Sequence, residues 1–139
     1  DLKMGLKTII KQIKFSSYEP ELIISINRGG CIAGVYLSHY LKLPHEVISI
    51  QFRDGDGYND FDLNKHIKNK KSVLIVDDIN DTGKTFGEIK KSMKHINCDV
   101  KYCALLDNTE SSQKIDFHGK LINKSIYPIW YIFPWENWW

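Results

Sequence analysis

No stretch of this 139-residue chain is apolar for long enough to span a membrane as a helix, and no secretory leader is visible at its start. An excess of either charge is also lacking. The 19 Lys and Arg residues against 17 Asp and Glu leave a formal net charge of +2, too small to argue for a nucleic-acid or membrane partner. Cysteine is scarce. Cys31, Cys98 and Cys103 are odd in number, lie in largely apolar settings and form no zinc-like spacing with histidine, so they read as reduced thiols of a cytoplasmic protein. Internal repeats, low-complexity tracts and interdomain linkers are absent too. A start at Asp1 rather than Met is what a few missing or removed residues would leave. What remains is ordinary for a soluble globular protein, with 42% hydrophobic and 26% charged residues. The length suits one domain, residues 1–139, around one core.

The most informative stretch is residues 73–86. Val73 to Val76 form a short apolar run of the kind expected for a buried parallel strand, with Asp77 and Asp78 at its carboxyl end. Asp81-Thr82-Gly83-Lys84-Thr85 then leads into a helical pattern. In an open α/β sheet, a strand, a turn and a helix in this order place a phosphate-bearing ligand at the turn. The backbone N–H groups of the turn and helix start suit a phosphate dianion. The acidic pair does not, and suits hydroxyl groups or a metal. A phosphorylated sugar with Mg²⁺ satisfies both halves.

Two familiar motifs fail here. A Walker A loop needs a further glycine five residues before Gly83, and Asp78 stands there. An EF-hand starting at Asp78 would need a carboxylate where Ile89 stands, and one starting at Asp54 would need glycine at Asn59. A plain surface turn with Asp81 or Thr82 as helix cap accounts for the turn but not for adjacent carboxylates at a strand end.

Elsewhere the pattern alternates. Leu2, Leu6, Ile9, Ile10 and Ile13 have helical spacing; residues 22–26 read as a strand, 31–41 as a helix and 47–50 as a second strand. A helix is expected over about 85–95 and another strand over 100–106, with 107–125 polar and irregular. Such alternation predicts an α/β fold, an open, mostly parallel twisted sheet flanked by helices. Residues 53–71 are polar and charged, and are expected to form a small hood or lid that closes on substrate and excludes water. Asn27-Arg28-Gly29-Gly30 also lies between a strand and a helix; its glycines allow close backbone approach and Arg28 offers a bidentate donor to phosphate oxygens.

The run from Val73 through Asp77-Asp78 to Asp81-Thr82-Gly83-Lys84-Thr85 resembles the 5-phosphoribosyl 1-diphosphate (PRPP) motif of type I phosphoribosyltransferases. The tail, Trp130-Tyr131-Ile132-Phe133-Pro134-Trp135-Glu136, resembles the Trp-x-x-x-Pro-Trp-acid pattern of small xanthine-guanine and hypoxanthine enzymes of that family. The resemblance implies the type I phosphoribosyltransferase fold, a single domain of that kind, and transfer of the 5-phosphoribosyl group from PRPP to a purine base in purine salvage. It implies that Asp77, Asp78, Asp81, Thr82, Gly83, Lys84 and Thr85 bind PRPP, with Asp78 the better candidate for Mg²⁺, direct or through water. Asn27, Arg28 and Gly29 would grip pyrophosphate, with the Asn27–Arg28 peptide cis, and Arg28 would stabilise the charge that builds there.

Asp81 would take the purine N7 proton. Trp130 would stack on the base, and Tyr131 or Ile132 would supply main-chain contacts. Many 6-oxopurine enzymes carry a lysine just after the strand matching 100–106. Here the residues are Leu106-Asp107-Asn108, where Asn108 is a candidate donor to an oxo group and Lys114 another. Trp135, Trp138 and Trp139 read as core or interface packing, and a homodimer or homotetramer is expected. Two alternatives stay open: a PRPP- or nucleotide-sensing regulator of the same fold, and an enzyme acting on a non-purine base such as orotate.

Overall fold

The computed structural model describes residues 1–53, 56–58 and 63–139, with 51–53 and 56–58 in backbone only. Helix α1 spans Leu2–Ser16, capped by the Asp1 carboxylate, which accepts from Met4 N at 3.3 Å. Strand β1 (Leu22–Asn27), helix α2 (Gly30–Leu41) and strand β2 (His45–Ser49) follow. A short antiparallel pair, β3 (Gln51–Arg53) and β4 (Asp56–Tyr58), forms its own two-stranded sheet, and the short helix α3 covers Leu63–Ile67. Strand β5 (Ser72–Asn80), helix α4 (Lys84–Met93), strand β6 (Asp99–Asn108) and strand β7 (Phe117–Ile122) complete the regular elements among the described residues.

The main sheet has the order β2-β1-β5-β6-β7, and every pairing is parallel. Its central strands β1 and β5 are apolar on both faces because both are covered. Leu22, Ile24, Val73 and Ile75 pack with Phe86, Ile89 and Met93 of α4 and with Leu63 and Ile67 of α3. Ile23, Leu74 and Val76 pack on the other side with Leu6, Ile9 and Ile13 of α1 and Ala33 and Leu37 of α2. The chain thus leaves β1 through α2 toward one edge of the sheet and leaves β5 through α4, on the opposite face, toward the other edge. The crevice between the carboxyl ends of β1 and β5 is a topological switch point, where open α/β sheets bind ligands.

One expectation needs correction. Residues 107–125 are not wholly irregular, since β7 lies within them. It is an edge strand in which only Phe117 and Ile122 are buried, so it carries almost no apolar signal. Non-local contacts hold it: the Gln12 side chain of α1 donates to His118 O at 3.0 Å and accepts from His118 N at 2.9 Å. Within 53–71, the expected hood, α3 buries Leu63 and Ile67 against the core. Of the charged residues expected in a lid, Asp54, Asp60 and Asp62 lie outside the described residues.

Candidate active site

Strand β5 outlasts its β1 neighbour. It pairs with β1 only as far as Ser25↔Val76, but continues beside β6 to Asn80↔Asp107. Asp77 and Asp78 therefore stand inside the carboxyl-terminal half of β5 rather than beyond it, just past its last residue paired with β1. The pleat sends their side chains to opposite faces. Asp77 is buried, 8% exposed, and its Oδ1 accepts from Asp78 N at 2.9 Å. Burial holds the Asp77 carboxyl well above the ordinary carboxylate range, and the Asp78 charge adds to this. Burial raises Asp78 as well, and Glu136 contributes negative charge from the tail. Among the described residues, no lysine, arginine or histidine forms an ion pair with either acid.

A buried and a half-buried carboxylate with no described cation beside them are costly alone and fit a ligand that brings hydroxyl donors or a divalent ion. No three described His, Cys, Asp or Glu side chains converge as a metal cage. Mg²⁺ needs none, since it is commonly held by one or two carboxylates and substrate oxygens. The donor set at Asp77 and Asp78 therefore fits Mg²⁺ with a phosphorylated sugar.

The turn after β5 is built for an anion. Gly83 is the N-cap of α4 with φ 87°, and the helical ladder begins with Gly87 N donating to Gly83 O at 2.8 Å. The amides of Lys84, Thr85 and Phe86 precede that ladder and lack intrahelical acceptors. Lys84 N donates to Thr82 Oγ1 at 3.3 Å. A cleft of about 260 Å³ is lined by the unbroken run Asp77 to Phe86.

Sequence reasoning missed what braces this turn from behind. Buried Asn80 donates to Asp107 Oδ1 at 2.7 Å and Gln113 O at 2.8 Å, and accepts from Ser111 Oγ at 2.9 Å. Ser112 donates to Thr82 O through its N at 3.1 Å and its Oγ at 2.8 Å. A Cβ on Gly83 would lie 2.5 Å from Ser112 Oγ and 2.7 Å from Gln113 N. Gly83→Ala thus meets both a left-handed backbone and a full space. It is expected to cost about 1–3 kcal/mol of stability, read as a lower melting temperature.

The loop after β1 abuts the same acids. The Asn27–Arg28 peptide is cis. Arg28 is exposed, and Asn27 Nδ2 donates to Ser49 Oγ at 3.2 Å. Gly29 packs so closely on β5 that a Cβ would collide with the Asp78 carboxylate. Cys31, in the first turn of α2, is raised by burial and by the Asp77 charge, so its thiol stays protonated at neutral pH.

Asp81 lies on the far side of the turn. Its Oδ2 accepts from Lys124 Nζ at 2.6 Å; its Oδ1 and main-chain O accept from Asn108 Nδ2 at 3.3 and 3.2 Å. Asn108, 7% exposed, uses its other end to accept from Glu110 N and Lys124 N. Its amide is therefore engaged with Asp81 rather than turned toward a base. Trp130 is 78% exposed, with Lys124 Nζ 5.5 Å from its ring centroid. Tyr131 and Ile132 line a separate, mostly apolar cavity of about 560 Å³ with Leu2, Met4 and Leu105. Trp135 packs against the core and stacks on Phe133, with centroids 4.8 Å apart, whereas Trp138 and Trp139 are exposed.

Comparison with known proteins agrees with this geometry. A family model described as a phosphoribosyl transferase domain matches residues 1–137. A hypoxanthine-guanine phosphoribosyltransferase of Aquifex aeolicus is 29% identical over 137 residues, covering 88% of this chain and 74% of its own. An adenine phosphoribosyltransferase of Crocosphaera subtropica is 25% identical over 111 residues, covering 71% and 64%. The crystal structure of a purine phosphoribosyltransferase from Pyrococcus horikoshii superposes with a TM-score of 0.78 at 30% identity, covering 94% of this chain and 88% of that one.

Proposed function

The chain belongs to the phosphoribosyl transferase domain family, and from that premise we propose that it moves the 5-phosphoribosyl group of PRPP onto a purine base. A nucleoside monophosphate forms and pyrophosphate leaves. The observation that carries this reading is the junction at the end of β5, where buried Asp77 and half-buried Asp78, with no ion-pair partner among the described residues, adjoin a glycine-capped helix start. The purine is supported by relatives whose names include hypoxanthine, guanine and adenine.

In the reaction, a base nitrogen bonds to the ribose carbon as that carbon's bond to the pyrophosphate oxygen breaks. The ribose carbon passes through a cation-like state, as at other glycosidic centres. Asp77 and Asp78 hold the ribose hydroxyls. Thr82, Gly83, Lys84 and Thr85 hold the 5-phosphate, largely through main-chain N–H groups and hydroxyls. Asp78 would hold Mg²⁺, directly or through water, and the bound ion would supply positive charge for the departing pyrophosphate. Asn27, Arg28 and Gly29 bind that leaving group, and Arg28 stabilises its growing charge.

Asp81 accepts the N7 proton as the base becomes bonded, with Asn108 holding its carboxylate in place. Trp130 offers a stacking face, with main-chain contacts from Tyr131 or Ile132. Bringing two substrates together in register supplies a large part of the rate.

Incubation with PRPP, Mg²⁺ and each of hypoxanthine, guanine, xanthine and adenine tests the proposal. Stoichiometric nucleoside monophosphate and pyrophosphate are expected with at least one purine. Binding of PRPP without turnover of any base would instead fit a sensor, and turnover of orotate alone would overturn the purine.

A further inference from the structure

Ser112, in the loop between β6 and β7, reaches back across 30 residues of chain to the turn after β5. It donates to Thr82 O twice, through its own N at 3.1 Å and through Oγ at 2.8 Å. The main-chain bond alone satisfies that carbonyl, and the hydroxyl fills its second lone pair. Ser112 is exposed, so its side chain adds nothing to the core. What two donors on one oxygen do is fix the direction in which that oxygen points. We propose that Ser112 is a positioning residue for the 5-phosphate: by holding Thr82 O outward, it aims the Gly83 N–H into the cleft lined by residues 77–86. The assignment rests on the phosphoribosyl transfer proposed above.

The peptide plane is the link. Asn27–Arg28 is the one cis peptide among the described residues, so the bond joining Thr82 to Gly83 is trans. In a planar trans peptide the C=O and the following N–H point opposite ways, and an oxygen pinned on one side sends the amide hydrogen to the other. No main-chain acceptor among the described residues takes the Gly83 N–H. The neighbouring peptides are pinned in the same manner. Asn108 Nδ2 donates to Asp81 O at 3.2 Å, and Gly87 N donates to Gly83 O at 2.8 Å. Three successive carbonyls thus accept bonds that set the directions of the three amides after them. The peptide with two donors is the one that needs them most. Gly83, at φ 87°, has no Cβ to restrain its rotation, so the bond before it is the freest in the turn to flip. An amide already aimed meets an anion without reorganisation, and a hydrogen bond at its carbonyl makes it a stronger donor.

Calorimetric titrations with ribose 5-phosphate and, separately, with pyrophosphate test this in the wild type, Ser112→Ala and Ser112→Thr, all with Mg²⁺ present. Ribose 5-phosphate carries the phosphate and the sugar hydroxyls without the leaving group. Ser112→Ala is expected to weaken it about 3–10-fold, the usual effect of losing one hydrogen bond, and to leave pyrophosphate within about twofold of wild type. The KM for PRPP should rise by the same factor, with kcat and the KM for the base little changed. Ser112→Thr keeps the hydroxyl at an exposed position and should keep the affinity. A brace that serves folding alone would lower the melting temperature and leave ribose 5-phosphate binding untouched, and that result overturns the assignment. Equal weakening of ribose 5-phosphate and pyrophosphate overturns it too, as does a Ser112→Thr that binds as poorly as Ser112→Ala. A wild type that binds neither PRPP nor ribose 5-phosphate is a different result, in which the phosphoribosyl transfer itself fails.

Discussion

Turnover is expected to fall about 10³-fold or more when Asp77 and Asp78 are both replaced by Asn, while the ligand-free protein melts at a higher temperature. The two effects share a cause. Both carboxyls are raised by burial, and no described cation compensates them. A folded state that binds these protons more tightly than the unfolded chain loses stability as pH climbs from the ordinary carboxylate range through the raised values. Ionising these carboxyls in the ligand-free protein therefore puts an unfavourable charge at the heart of its sheet, a cost that the amides remove. The same charge is what ribose hydroxyls and Mg²⁺ would recognise, so its removal should abolish PRPP binding. Thermal melts of wild type and variant from pH 4 to 8, alongside initial rates, check both halves. The variant's advantage in melting temperature should grow with pH. An advantage that shrinks with pH would mean that the acids are paired in the folded protein.

Asp81→Asn is expected to lower kcat by about 10²–10⁴-fold, with little change in PRPP affinity, if Asp81 moves the N7 proton. The amide oxygen can still accept from Lys124, and Asn108 still donates to the main-chain O of residue 81 at 3.2 Å, so the turn should keep its shape. Near-wild-type turnover in this variant would leave Asp81 as a loop brace. A loss confined to KM for PRPP would have the same meaning.

The strand, the acid pair and the glycine turn of residues 73–86 were readable because they are contiguous, and each carries its own chemical signature. An apolar run must be buried, adjacent acids need partners, and Gly83 supplies the positive φ at the helix start. The sheet followed from alternation, since β1, β5 and β6 are short apolar runs covered on both faces. What escaped was non-local. Strand β7 is held by the side chain of Gln12, 106 residues earlier. Lys124 reaches Asp81 across 43 residues of chain, and no local pattern ties a lysine after one strand to a carboxylate after another. Asn108 illustrates the same limit. Its residue type fits contact with a base, yet its buried amide is engaged with Asp81. Asn80, as the last residue of β5, gave only its polarity as a hint, yet it fastens the turn to Ser111 and Gln113.

Amide chemical shifts of ¹⁵N-labelled protein titrated with PRPP and Mg²⁺ locate the ligand directly. Saturable changes centred on Asp78 and on the amides of Gly83, Lys84, Thr85 and Phe86, with further changes at Arg28 and Gly29, are expected. Changes confined to another surface, with the turn between β5 and α4 unmoved at saturation, would contradict a sugar phosphate held at the end of the central strand.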